Sequence, residues 1–206
     1  SNDISVFAVR SNGLVLTDTV PSGGIQPISL TVDRDLLYVL NSGGDGNISG
    51  FTVHRNGHLA PLPGSTRPLS GPNTAPAQIG FSPDGEVLVV TEKATNYIDT
   101  YVVNEDGLTN GPYVNTSANA TPFGFAFDRR GRLLVSEAAG GAADAGSVSS
   151  YKVTANGLLE VISPAVATTE TAVCWVVVTK NNRFAYVTNT GSGSLTAYRI
   201  ARDGSI

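Results

Sequence analysis

The sequence predicts an all-β protein assembled from a repeated unit of four antiparallel strands, and three observations carry this prediction. Four segments of the 206-residue chain can be superimposed, with Val32, Phe81, Phe127 and Val178 as equivalent positions at spacings of 49, 46 and 51 residues. The 23 glycines and 11 prolines favour short strands joined by tight turns. No stretch shows a sustained apolar period of 3.6 residues, so helices should be rare. Four strands at a period near fifty residues are typical of a β-propeller blade.

Each repeat begins with two apolar, strand-like segments that are joined by a polar turn. These turns are residues 33–35, 82–85, 128–131 and 179–182. A third strand with alternating polarity follows and leads to an Asn-Gly or Asp-Gly pair, which supports a tight hairpin turn. These pairs are residues 56–57, 106–107, 156–157 and 203–204. The apolar first and second strands should be buried between neighbouring blades, whereas the alternating third and fourth strands should face solvent on one side.

The repeat divides residues 1–206 into parts of a single, partial propeller domain. The predicted parts are the outer strands of one blade (1–24), three blades (25–75, 76–121 and 122–172) and the first three strands of another (173–206). Both ends supply a third strand, so they cannot complete one blade together. The strand count therefore predicts about four blades that form an arc of a larger ring. Since an open arc exposes apolar blade faces, the segment is expected to self-associate.

Composition and charge narrow the possible partners. The formal net charge is −4 and only three residues are lysines, so nucleic acid is not expected as a partner because no clustered basic face is visible. No apolar run is long enough to span a membrane. Cys174 is the single cysteine, which excludes an intrachain disulfide and a CxxC site. The lysine-poor surface, rich in Ser, Thr, Asn and Gly, favours a secreted, periplasmic or cell-surface protein, with the cytoplasm left open.

Several segments resemble a known family of propellers. Phe184–Asn189, with the sequence Phe-Ala-Tyr-Val-Thr-Asn, and the turn Ser82–Gly85 resemble the YVTN-repeat propellers, in particular the seven-bladed lactonase-type family with its 6-phosphogluconolactonases and carboxymuconate-lactonising enzymes. Pro122–Phe127 and Cys174–Thr179 resemble a branch called 3-carboxymuconate-cyclase-like. The resemblance covers essentially the whole chain and implies a fragment of a seven-bladed ring. It also implies a small-molecule lactone or carbohydrate-like ligand at the central channel, although YVTN propellers include surface and binding proteins as well.

The ends of the second strands supply the candidate site, because the loops that leave them share one face with the entrances to the first strands. These ends are Asn41, Glu92, Glu137 and Asn189. Two carboxylates on neighbouring blades can activate a water that attacks a lactone carbonyl, or hold a divalent cation such as calcium with the flanking amides. No other cofactor is predicted. The alternative is that all four side chains only anchor the loops through hydrogen bonds.

Three further residues complete the candidate site. Gln78 can donate to a carbonyl oxygen, Lys93 is the one cation beside the predicted rim, and Trp175 can stack on a ligand. Gln78 and Trp175 also have structural interpretations, Gln78 as an amide at a strand start and Trp175 as a core residue.

The resemblance implies Arg or His at the entrances to the first strands, and this sequence departs from that pattern. The entrance pairs are Ala77-Gln78, Phe123-Gly124 and Cys174-Trp175. Two functions are therefore predicted side by side. One is a hydrolase or isomerase of a sugar or muconate lactone that uses Glu92, Glu137, Gln78 and Lys93, and the other is a non-catalytic, secreted or surface binding propeller.

Overall fold

The computed structural model describes all 206 residues as eighteen strands in five antiparallel sheets, which confirms the predicted all-β propeller class. The first sheet, here the leading hairpin, consists of β1 (Asp3–Arg10) and β2 (Gly13–Pro21). Each later sheet, here a blade, has its strands in chain order. Blade 1 contains β3 (Pro27–Asp33), β4 (Leu36–Asn41), β5 (Asn47–Val53), β6 (Leu59–Pro61) and β7 (Arg67–Pro68).

The next three blades repeat this arrangement. Blade 2 contains β8 (Pro76–Phe81), β9 (Val87–Glu92), β10 (Tyr97–Val103) and β11 (Thr109–Thr116). Blade 3 contains β12 (Pro122–Phe127), β13 (Arg132–Glu137), β14 (Ser147–Val153) and β15 (Leu159–Ala167). Blade 4 contains β16 (Val173–Val178), β17 (Phe184–Asn189) and β18 (Ser194–Arg199).

The first strands of the blades form the centre of the arc, because β3, β8, β12 and β16 contact one another in that order. Pro27, Pro76 and Pro122 open three of them, where the missing N–H removes no ladder donor. Neighbouring blades are linked there by side chains that cap backbone amides. For example, the Ile79 amide donates to Ser29 Oγ at 3.2 Å.

The hydrophobic core is a series of layers between blades. One layer joins Tyr38 and Leu40 of blade 1 to Leu88 and Tyr101 of blade 2. Similar clusters lie between blades 2 and 3, between blades 3 and 4, and between the leading hairpin and blade 1. Both faces of an inner blade are therefore covered, and burial of apolar area against its two neighbours stabilises it.

The third strands of blades 1, 2 and 3 differ from the prediction that they face solvent on one side, whereas β18 of blade 4 alternates as predicted. Ile48–Phe51, Ile98–Tyr101 and Ser147–Tyr151 are buried at every position. Their alternation separates apolar from small hydroxyl-bearing side chains, and both kinds lie between blades. All of these buried hydroxyls except that of Ser150 form hydrogen bonds, as Ser149 does when it donates to Glu137, so polarity in these strands does not indicate solvent.

Two irregular segments interrupt the repeat. The fourth strand of blade 1 is split into β6 and β7, both paired with β5, because Pro61 and Pro63 cannot donate to the ladder between them. A single 3₁₀ turn, Ala139–Gly141, follows β13. No helix has the length and apolar character needed to cross a membrane.

Candidate functional site

The four residues that end the second strands all lie in the interior. Asn41, Glu92, Glu137 and Asn189 are at most 1% exposed. Each one hydrogen-bonds within its own blade. The partners lie on the third strand, in the segment before the first strand, or in the loop after the second strand. The structure therefore places the two predicted carboxylates inside neighbouring blades rather than on an open rim.

Glu137 sits in a pocket of hydrogen-bond donors within blade 3. Its oxygens accept from the hydroxyls of Ser117 (3.0 Å), Ser147 (2.5 Å), Ser149 (2.7 Å) and Tyr151 (3.4 Å) and from the backbone amide of Asn119 (3.1 Å). Two of the donors precede β12, and three lie on β14. Burial raises the pKa of Tyr151, and the charge on Glu137 raises it further. Five donors stabilise a charged carboxylate without a cationic partner, and the side chain is fully buried, so no ligand reaches it from solvent.

Glu92 has fewer donors and a second carboxyl group beside it. It accepts from the Ser70 amide at 3.1 Å, the Ser70 hydroxyl at 2.5 Å and the Thr95 hydroxyl at 2.6 Å. On the adjoining strand, Tyr97 pairs with Glu92, so Asp99 lies diagonally across from Glu92 on the same face. Blade 2 therefore holds a buried pair of carboxyl groups.

Asp99 is the group in this pair whose charge is unfavourable. It is fully buried, and neither of its carboxylate oxygens accepts a hydrogen bond. Burial raises the pKa of Asp99 to about 8, and the neighbouring Glu92 carboxylate adds to the shift. Asp99 is therefore protonated at neutral pH, and its hydroxyl can donate to Glu92.

Sequence reasoning missed Asp99 and paired Glu92 with Glu137 instead. A signal was present in the repeat, because the equivalent positions on the third strands are Ser49, Ser149 and Thr196. A carboxyl group where the other blades have a small hydroxyl marks an exception. The sequence does not show that this carboxyl group is buried, because the burial of the third strand depends on the neighbouring blades.

The predicted amide residues are also engaged within the fold. Asn41 accepts from the Ser22 hydroxyl at 2.7 Å, and the Asn189 amide donates to Ser194 and Thr196 at 3.0 and 2.9 Å. The Gln78 side chain donates to the Phe125 carbonyl at 3.1 Å and accepts from the Phe125 amide at 2.9 Å. Gln78 therefore links the first strands of blades 2 and 3, and its side-chain amide is held by this pair of hydrogen bonds.

Two of the predicted residues, Lys93 and Trp175, contact the same aromatic ring, that of Phe123, at an accessible place. Lys93 Nζ lies 5.1 Å from the centre of the Phe123 ring, and the Phe123 and Trp175 rings meet edge to face at 5.3 Å. Trp175 is 52% exposed, and the Lys93 ammonium makes no ion pair or hydrogen bond. We call these three residues, which come from blades 2, 3 and 4, the inner platform.

Gly124 makes room for the inner platform. A Cβ atom at this position would lie 2.9 Å from Cε3 of Trp175 and 2.6 Å from the Cys174 carbonyl oxygen. The absence of a side chain therefore lets the Trp175 ring pack against the first strand of blade 3. Cys174 beside it receives a hydrogen bond from the Thr190 hydroxyl at 2.9 Å and has no histidine partner.

The two predicted calcium ligands, Glu92 and Glu137, lie in different blades. Glu92 and Glu137 are held by separate sets of donors within different blades. No group of three or more His, Cys, Asp or Glu side chains is arranged to hold a metal ion. The inner platform is thus the accessible candidate site among the predicted residues.

Comparison with solved structures supports the propeller fold. The chain superimposes on a protein from Lactobacillus plantarum (TM-score 0.79, 20% identity, 98% of this chain and 62% of that chain) and on the periplasmic gluconolactonase PpgL of Pseudomonas aeruginosa (TM-score 0.76, 17% identity, 98% and 61%). It also superimposes on a protein from Bacteroides uniformis assigned as a 6-phosphogluconolactonase (TM-score 0.77, 20% identity, 97% and 61%).

These comparisons support a β-propeller fold for this chain. The chain spans less than two thirds of the length of these three structures. No protein-family model and no curated protein matches the sequence.

Proposed function

We propose that this chain forms part of a lactonase-like propeller that binds a small lactone or sugar-acid ring at the inner platform. The observation that carries the proposal is that the half-exposed Trp175 ring and the Lys93 ammonium, which forms no ion pair, both contact the Phe123 ring. An aromatic face stacks on the apolar face of a sugar or lactone ring, and an ammonium attracts its carbonyl or carboxylate oxygen. The fold shared with a gluconolactonase and with proteins assigned as 6-phosphogluconolactonases supports a lactone as the ligand class. We also propose that the protein is secreted, periplasmic or exposed at the cell surface.

Replacement of the platform residues should weaken ligand binding. In calorimetric titrations with gluconate, the product of gluconolactone opening, we expect Trp175→Ala and Lys93→Gln each to weaken binding about fivefold to tenfold, because each removes roughly 1 kcal/mol of stacking or charge interaction. The matched controls are Tyr113→Ala, an exposed aromatic on β11, and Lys180→Gln, an exposed lysine in the turn before β17. Equal binding by all four variants would contradict the proposal.

A second candidate function is ligand binding without catalysis. The observation that favours it is the burial of Glu92 and Glu137, which leaves no carboxylate on the inner platform to activate water. A pH-stat assay with glucono-δ-lactone separates the two functions. An enzyme that uses Glu92 would lose roughly a hundredfold in rate on Glu92→Gln substitution. Gluconate binding with no hydrolysis above the spontaneous rate would support the binding module.

We also propose that the chain self-associates through its outermost blade faces. The leading hairpin exposes Val9 and Leu14, and blade 4 exposes Val177 and Leu195, each at 60% or more. Exposed apolar area of this extent favours association, because covering it releases water. Sedimentation velocity should show species larger than the 21.3 kDa chain, with a proportion that increases with concentration. A single monomeric species at all concentrations would refute this.

A further inference from the structure

Six of the ten arginines meet in one cleft on the face opposite the ends of the second strands. The cleft lies between blades 3 and 4, has a volume of about 810 Å³, and is formed by the turns before β13 and β17 and by the segment after β18. Its arginines are Arg129, Arg130, Arg132, Arg183, Arg199 and Arg202. We call it the basic cleft.

The equivalent cleft between blades 1 and 2 has the opposite charge. It is formed by the corresponding turns of the repeat, has a volume of about 490 Å³ and contains a single arginine, Arg34. Its acidic residues are Asp33, Asp35, Asp84, Glu86, Glu105 and Asp106. Because the same turns form both clefts, the cleft itself is a property of the fold. The concentration of arginines in one of them is a property of this sequence.

One wall of the basic cleft is rigid. Arg132 is 8% exposed and forms an ion pair with the buried Asp128, whose Oδ2 accepts from Arg132 Nε at 2.6 Å. Burial acts to raise the pKa of Asp128, but the hydrogen bonds from Arg132 outweigh it and hold the pKa below its ordinary value. Arg130 and Arg132 both donate to the Arg202 carbonyl, at 2.6 and 2.8 Å. These bonds tie blade 3 to the segment after β18 and preorganise the cleft.

The remaining side chains of the cleft have no anionic partner. Arg129, Arg183, Arg199 and Arg202 are exposed, and their guanidinium groups donate no hydrogen bond and form no ion pair. The nearby carboxylates are only Asp128, which is occupied by Arg132, and Asp203, which accepts from Ser205. The like charges that remain unpaired in the cleft repel one another, and a bound anion relieves that repulsion.

We propose that the basic cleft binds a small anion that carries several phosphate groups. Guanidinium groups match phosphate oxygens in a bidentate geometry, and four of them are unoccupied around one cavity. The volume falls within the range of small-molecule sites, roughly 300–1,000 Å³. A nucleic acid would need a basic stripe extended along a surface, whereas the neighbouring cleft on this face is acidic. The expectation that the protein has no clustered basic face was wrong, because arginines some fifty to seventy residues apart meet only in the fold.

Calorimetric titration of the 206-residue chain with tripolyphosphate at 150 mM salt tests the proposal. We expect Arg183→Ala and Arg202→Ala each to weaken binding by about tenfold or more, since each removes charge-assisted hydrogen bonds. Arg183→Lys keeps the charge but loses the bidentate geometry, so it should bind with intermediate affinity. The matched controls Arg34→Ala and Arg55→Ala, which remove exposed arginines elsewhere, should leave the affinity unchanged.

Thermal denaturation provides a second measurement, because a ligand that binds the folded state raises the melting temperature. Tripolyphosphate should raise it for the native chain and for both control variants, and raise it less for Arg183→Ala and Arg202→Ala. Three results would overturn the proposal. These are no heat and no thermal shift at 150 mM salt, an equal loss of affinity in the control variants, and tighter binding of a 20-nucleotide single-stranded DNA than of tripolyphosphate.

Discussion

Replacement of Glu137 by alanine should destabilise the protein by at least about 3 kcal/mol. The substitution removes the acceptor of five hydrogen bonds inside blade 3. Each buried donor left without a partner costs about 1–3 kcal/mol, although some of the hydroxyls can rotate toward one another. The variant also leaves a cavity where the side chain was fully buried. Urea denaturation followed by circular dichroism measures the loss.

Two further variants show whether the effect comes from the hydrogen bonds. Glu137→Gln has nearly the same volume and keeps one acceptor oxygen, so we expect a smaller loss of roughly 1–2 kcal/mol. The matched control Glu160→Ala removes an exposed carboxylate that pairs with Lys152, and it should change stability by less than about 0.5 kcal/mol. A loss below 1 kcal/mol for Glu137→Ala would contradict the structural role. A folded Glu137→Gln variant with greatly reduced lactone hydrolysis would indicate a catalytic role instead.

Replacement of Asp99 by asparagine should stabilise the protein at alkaline pH and have little effect near pH 4. The pKa of Asp99 is about 8 in the folded chain and about 3.9 when unfolded. Below pH 4 both states hold the proton, and the contribution of Asp99 is fully present. Between pH 4 and pH 8 the unfolded chain releases the proton while the folded chain keeps it. The free energy of unfolding therefore falls as the pH rises, by about 1.4 kcal/mol per unit.

Asparagine has the shape of protonated aspartic acid, and its amide can donate to Glu92 at every pH. We therefore expect the difference in the free energy of unfolding between Asp99→Asn and the native chain to grow from near zero at pH 4 to several kcal/mol at pH 8. Urea denaturation at unit steps of pH measures this difference. The matched control Asp45→Asn changes an exposed carboxylate and should show no such trend. A difference that does not vary with pH would show that Asp99 is charged in the folded state.

The positions of the strands were predictable from local sequence. Alternation, apolar runs and the Asn-Gly and Asp-Gly turns are properties of a few consecutive residues, and the repeat confirms each assignment independently. The burial of the third strands was not predictable in this way, because it depends on two neighbouring blades. The polar face of a strand such as Ser147–Val153 is the same in sequence whether it meets water or a buried carboxylate.

In the candidate site, too, the positions of the residues were predictable from the sequence and their surroundings were not. Lys93 and Trp175 were predicted from their positions in the repeat, and they meet through Phe123 at the centre of the arc. Glu92 and Glu137 were also correctly placed at the ends of the second strands. Their chemical surroundings were not predictable, because donors such as Ser70 and Ser117 lie in the segments that enter the blade, some twenty residues before them.

The sequence by itself therefore determined the repeat, the strands and the β-propeller class, since these follow from short-range patterns of polarity and turn formation. Only the tertiary structure decided which charges are buried, paired or left free. It put Glu137 among five donors and Asp99 beside Glu92, and it brought the arginines of two blades into one cleft. The physical reason is that the free energy of a charged group depends on the groups around it in space. Packing between blades brings those groups together from distant parts of the chain.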